Sequence, residues 1–147
     1  MAERYWPQEE LKEERDYQHR SHFVAFFSLI WRVYMKFSES LKSNSDFRRV
    51  YRGGKSYANK YLVMYVLENG TDQNRLGISV SKKVGNSVVR HRITRLVRES
   101  YRLHENIFNS GLDIVVVARV GAKEVGYAEI ESALLHVSKL HRILITC

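Results

Sequence analysis

Ser79-Val80-Ser81-Lys82-Lys83-Val84-Gly85-Asn86-Ser87-Val88-Val89-Arg90-His91-Arg92-Ile93-Thr94-Arg95-Leu96-Val97-Arg98-Glu99 passes from one regular structure to another within a single run. It opens with strand-like alternation, turns through Gly85-Asn86 and continues with helical spacing. Asn86 is placed to cap the helix, because its side-chain oxygen can accept a free backbone N–H of the first turn. Val89, Ile93, Leu96, Val97 and Leu103 recur at helical intervals and form one apolar stripe.

At about 100° per residue, His91, Arg95, Arg98 and Arg102 fall opposite that stripe within an arc of roughly 60°. Arg90 and Arg92 flank them, and Lys82 and Lys83 occupy the preceding strand end and turn. From Lys82 to Arg102 there are seven Lys or Arg and one acid, Glu99. Like charges at helical spacing repel one another, and a polyanion offsets that repulsion. Arginine also forks onto phosphate oxygens with two bonds. The one-sided charge and the scarcity of acids favour a phosphate-binding helix over an ordinary solvated face.

The totals agree with an anionic partner. The 147 residues carry 24 Lys and Arg against 16 acids, a formal charge of +8. The charge is uneven. Residues 1–34 hold five bases and six acids, so all the net positive charge lies downstream. The one cysteine, Cys147, can form neither an internal disulfide nor a multi-cysteine metal site, which suits a reducing compartment such as the cytoplasm. His19 with His22, and His136 with His141, lack supporting ligands and read as surface residues. The apolar run Phe23 to Trp31 falls short of the roughly 20 residues that span a bilayer. An acidic stretch precedes it and no small-residue cleavage site follows, so neither a secretory signal nor a membrane partner is expected.

Elsewhere the pattern reads as short elements. Asn44 to Gly54 is a helix capped by Asn44 or Ser45, with Phe47, Val50 and Tyr51 on one face and Arg48, Arg49 and Arg52 around them. Lys55 to Lys60 is an edge strand or a loop. Tyr61 to Leu67 is a strand with Tyr61, Val63, Tyr65 and Leu67 on one side and Leu62, Met64 and Val66 on the other. The side bearing Tyr61 and Tyr65 is a candidate platform for stacking bases. Glu68 to Asn74 reads as a hairpin turn, with Arg75 to Ser81 as the returning strand. Asp113 to Arg119 is a nearly continuous apolar strand, which implies a central position. Tyr127 to Leu144 is an amphipathic helix with Ile130, Leu134, Val137, Leu140 and Leu144 inward. The expected fold is α+β: a two-layer sandwich of a small mixed sheet with helices packed on one face.

The Lys82–Glu99 run resembles the Arg-Asn-Arg signature of the bacterial ribonuclease P protein component, with approximate pattern K-K-x-G-N-A-V-x-R-N-R-x-K-R-x-x-R-E/Q. His91 stands where asparagine is usual and Thr94 where lysine is usual. Ala58-Asn59-Lys60 resembles that family's Ala-Asn-Arg. The resemblance runs from about Phe37 to His141, and it implies an αββ(β)αβα order with a left-handed βαβ crossover. It further implies a protein subunit that binds the catalytic RNA and the 5′ leader of precursor tRNA, assisting endonucleolytic removal of the leader. Cleavage would be performed by the RNA, with Mg2+ held mainly there. The residues implied for the catalytic RNA are Lys82, Lys83, Asn86, Arg90, His91, Arg92, Arg95, Arg98 and Arg102. Those implied for a leader cleft are Phe47, Tyr51, Lys60, Tyr61 and Tyr65; for Phe47 and Tyr51, core packing is the equal alternative.

No nucleophile–base pair, carboxylate cluster or phosphate loop with a following Lys-Ser/Thr points to a protein catalyst. The alternative function is a non-catalytic structural RNA-binding protein of a ribosome-associated type using the same helix. Residues 35–147 are expected to form the domain. Met35 is expected to be the natural start, with 1–34 as upstream sequence read in frame; the alternative is a genuine extension.

Overall fold

The computed structural model describes residues 38–145, so the expectations for residues 1–34 lie outside the described residues. Five strands, β1 (Ser38–Ser40), β2 (Lys55–Ala58), β3 (Leu62–Glu68), β4 (Asn74–Ser79) and β5 (Leu112–Ala118), form one mixed sheet in the order β1-β4-β5-β3-β2. Among the described residues three α-helices accompany them: α1 (Asn44–Gly53), α2 (Ser87–His104) and α3 (Tyr127–His141). Turns of 3-10 helix occupy Glu105–Ile107 and Val120–Glu124.

β5 takes the central slot that its apolar run implies. All seven of its residues are buried, parallel to β4 on one side and antiparallel to β3 on the other. β5 therefore separates β3 from β4, and the expected hairpin between those two strands does not form. The polar Glu68–Asn74 segment instead crosses the end of β5. There the Asn69 N–H donates to the Gly111 carbonyl at 2.9 Å. Gly111 has φ +79°, and a Cβ on it would lie 2.5 Å from the Thr71 carbonyl oxygen, so only glycine fits. A turn composition is local information; which strand fills the gap is set by burial of a distant segment.

The alternation along β3 and β5 builds two cores. Leu62, Met64, Ile114 and Val116 face α2 and α3, where Ile93, Val97, Tyr101, Ile130, Leu134 and Val137 meet them. Tyr65, Val115 and Val117 face the other way and pack with Leu41, Phe47, Val50 and Tyr51. The α+β class and the mixed sheet stand, but the helices are not all on one face: α1 covers the side opposite α2 and α3. Strands that are apolar at nearly every position can bury both faces, and β5 does. At Gly77 of β4 the sheet has no side chain to interpose, and a Cβ there would come within 2.8 Å of the Phe47 ring.

β1, which the sequence pattern does not reveal, runs parallel to β4. The Ser38 hydroxyl is 2.7 Å from the Tyr101 hydroxyl, tying this edge to α2. Asn74 is buried, accepts the Leu112 N–H at 2.9 Å and donates to the Asn109 carbonyl at 2.7 Å. The Lys55–Ala58 segment is an edge strand, antiparallel to β3.

Candidate nucleic-acid interface

The turn before α2 is pinned from beneath. Val84 is buried, and its N–H donates to the Ser81 carbonyl at 3.1 Å. Lys82 and Lys83 are exposed in that turn. Asn86 caps α2 as its type predicts, its Oδ1 accepting the Val89 N–H at 3.0 Å. Ile93, Val97, Ser100 and Tyr101 form the buried side of α2, with Val89 and Leu96 half-buried beside them. Leu103 does not continue the stripe. It is 52% exposed, and Tyr101, at i+4 from Val97, takes the inward position. Leu140 of α3 is likewise 41% exposed rather than inward.

Energetics explain how so basic a helix holds. Full burial of a side chain such as Ile93 or Val97 contributes about 1.5–3 kcal/mol. A like-charge pair at helical spacing costs only about 0.2–0.5 kcal/mol. Packing wins, and the outer side is left to carry charge.

The outer side is not uniform. Arg92 and Arg95 are exposed, whereas Arg90, His91, Arg98 and Arg102 are half-buried. Arg92 is held to the segment before α3, donating from Nη2 to the Val125 carbonyl at 2.7 Å and from Nη1 to the Lys123 carbonyl at 3.4 Å. Carbonyls fix its direction without neutralising its charge. Arg102 is ion-paired with Glu99, Nε to Oε2 at 3.0 Å, and this bond holds the Glu99 carboxyl below the usual range. Burial, with Arg95 and then Arg98 adding to it, pushes His91 below the ordinary imidazole range. The Thr94 hydroxyl turns back to the Arg90 carbonyl at 2.9 Å and adds no charge to the face.

The second predicted set is only partly brought together. Phe47, Tyr51 and Tyr65 are neighbours, with Tyr51 and Tyr65 edge-to-face at 5.1 Å between centroids and Phe47 and Tyr51 at 6.2 Å. All three are buried, at 1%, 4% and 2% exposure, so their rings pack on one another rather than offering an open platform. Lys60 and Tyr61 do not join them. Tyr61 precedes β3, packs on the core under α3 and helps line a pocket of about 390 Å³ with Asn59, Ser132 and His136. The Lys60 ammonium lies 5.4 Å from the Tyr61 ring centroid. The reason is the turn at Asn59: its Oδ1 accepts the N–H groups of Tyr61 and Leu62, and its Nδ2 donates to the Ala133 carbonyl of α3. The strand's alternation therefore begins at Leu62, one residue after Tyr61.

A charged cluster was not legible in the sequence. The Asp113 carboxylate is inaccessible to solvent and accepts from Arg75 (2.6 and 2.8 Å), Arg49 (2.6 Å) and Asn69 (3.0 Å). Burial raises its carboxyl, but these bonds outweigh burial and hold it below the usual range. Arg49 is thereby a structural cation although, like Arg48 and Arg52 on the same helix, it is exposed. Among the described residues no three His, Cys, Asp or Glu side chains gather where they could hold a metal ion, and no helix is long and apolar enough to cross a membrane.

The family model described as Ribonuclease P matches residues 35–141. The Ribonuclease P protein component of Lachnoclostridium phytofermentans is 68% identical over 107 residues, covering 73% of this chain and 92% of that protein. That of Clostridioides difficile is 48% identical over 103 residues, covering 69% and 90%. The solved RNase P protein of Staphylococcus aureus superposes with a TM-score of 0.67 at 42% identity, over 71% of this chain and 95% of that one. The RNase P protein of Thermotoga maritima superposes with a TM-score of 0.65 at 35% identity, over 71% and 97%. With a matched profile over most of its length and relatives this similar, the chain belongs to the ribonuclease P protein family.

Proposed function

We propose that this chain is the protein subunit of a ribonuclease P ribonucleoprotein, acting in tRNA processing. It binds the catalytic RNA through the turn and outer side of α2, and it assists removal of the 5′ leader from precursor tRNA. The observation that carries this reading is the basic side of α2, where Lys82, Lys83, Arg92 and Arg95 are exposed around a single acid that Arg102 already engages. Such a surface attracts a phosphate backbone and offers no group to cut it. The bond-breaking chemistry, and the Mg2+ it uses, belong to the RNA; no step is assigned to a metal held by this chain.

The leader is assigned to the α1 side of the sheet. There exposed Arg48 and Arg52 rim the aromatic cluster of Phe47, Tyr51 and Tyr65. The rim supplies charge for the strand's phosphates, and the cluster beneath fixes where the rim stands.

The RNA that accompanies the chain from its own cells tests the reading. One long structured RNA with precursor-tRNA processing activity is expected. Recovery of ribosomal RNA alone, without that activity, would replace it with a ribosome-associated role.

A further inference from the structure

Glu99 is the one acid between Lys82 and Arg102, and its position is informative. A surface pocket of about 300 Å³ opens between α2 and the start of α3, lined by Arg92, Arg95, Leu96, Glu99 and Tyr127. This lies at the lower end of ligand-pocket sizes, suited to one small planar group. A carboxylate in its wall repels phosphate, so the pocket is not simply another phosphate contact. Its walls combine an aromatic ring, an aliphatic side chain, two guanidinium groups and an ionised carboxylate.

Those groups are held in place before any ligand arrives. Arg92 is aimed by the carbonyls of Lys123 and Val125. Glu99 is oriented by Arg102, which uses two of the roughly four acceptor positions a carboxylate offers. The other nearby acid, Glu131, sits between His104, 3.3 Å from its Nε2, and the Tyr127 hydroxyl, which donates to the same carboxylate oxygen at 3.5 Å. Tyr127 is half-buried at the first position of α3, where the Gly126 N–H donates to Glu129 at 3.0 Å and fixes the helix start.

We infer that this pocket takes one unpaired guanine base from the RNA bound along α2. Resting on the RNA-binding reading above, it adds a base-reading position to a surface that otherwise grips phosphates. Guanine presents two adjacent donors, N1–H and the N2 amine, to a carboxylate. It presents O6 and N7 as paired acceptors to arginine. Adenine and cytosine each offer a single exocyclic amine, and uracil has none. Tyr127 supplies a ring on which an unstacked base can lie, as is usual where proteins read single-stranded RNA.

The test uses the full chain and three eight-nucleotide RNA strands: all adenosine, adenosine with one central guanosine, and adenosine with one central inosine, which lacks the N2 amine. Binding is read by fluorescence anisotropy. The guanosine strand should bind on the order of 10-fold more tightly than the adenosine strand, with inosine losing most of the gain. Glu99→Gln should abolish the preference, with the adenosine and guanosine strands binding equally and both shifted alike by the lost negative charge, and its thermal unfolding should match that of the parent. Equal binding of all three strands by the unaltered chain would overturn the base site and leave the basic surface standing. A guanosine preference that survives in Glu99→Gln would overturn it as well. Failure of every strand to bind would overturn capture of an unpaired base as well, while binding of the catalytic RNA separately decides the RNA-binding reading.

Discussion

Arg95→Ala isolates the electrostatic claim. Arg95 is exposed on the outer side of α2 and makes no ion pair among the described residues. Its removal should therefore change stability by no more than about 0.5 kcal/mol. If its guanidinium meets a phosphate of the catalytic RNA, each such contact adds about 0.7–0.9 to the slope of log affinity against log salt. The variant should thus show a slope shallower by that amount. Across a tenfold span of salt, the parent should lose about 5- to 8-fold more affinity than the variant. The two should converge at high salt. The control is the charge-neutral double variant Glu99→Gln/Arg102→Gln, which removes a pair already joined at 3.0 Å and should leave the slope unchanged. The assay is filter binding or anisotropy of labelled catalytic RNA at five or more salt concentrations. An unchanged slope in Arg95→Ala, with affinity lost equally at all salts, would refute the phosphate contact.

Three further outcomes are expected. His91 is held below its ordinary range by burial and by Arg95 and Arg98, so it is neutral at pH 7; phosphates arriving beside it would raise its pKa, so affinity for RNA should rise as pH falls from 7.5 toward 5.5. His91→Gln should flatten that rise, and a pH profile identical to the parent's would count against a phosphate near His91. Asp113→Asn should cost about 3 kcal/mol in denaturant unfolding, near the low end for a broken buried pair because Arg49 is 51% exposed. Because the Asp113 carboxyl is lowered in the folded state, its stabilisation is present above the unfolded pKa of about 3.9 and is lost as pH falls below it; a gap between parent and variant that stays constant down to pH 2 would contradict the cluster. Tyr65→Ala should cost about 3–5 kcal/mol, as for a buried ring; a loss below about 1 kcal/mol would mean that Tyr65 is an open platform after all.

The elements were most legible where short-range chemistry decides them. Asn86 capping α2, the buried run of β5 and the inward Ile93 and Val97 follow from residue type and spacing alone. What the sequence concealed was pairing between distant segments. Nothing local to Glu68–Asn74 announces that β5 will enter between β3 and β4, and the three residues of β1 carry no alternation of their own. The face taken by α1 was concealed for the same reason, since Phe47 and Tyr51 look alike whether they cover a sheet or meet a strand of RNA. Within the candidate site, helical angles placed His91, Arg95, Arg98 and Arg102 together. They could not show that Arg92 is steered by carbonyls 31 and 33 residues away, nor that Tyr127 closes a pocket over Glu99. Tyr61 was grouped with Tyr65 because alternation was extended one residue ahead of Leu62, where β3 begins after the Asn59 turn; Lys60 was never part of that alternation.

The central claim is that the chain grips an RNA and the RNA cuts. Cleavage of precursor tRNA, measured at low magnesium with the catalytic RNA alone, the protein alone and the two together, tests it most directly. The account predicts correct 5′ ends from the pair, little product from the RNA alone and none from the protein alone. Cleavage by the isolated protein, or a pair no faster than the RNA alone, would contradict it.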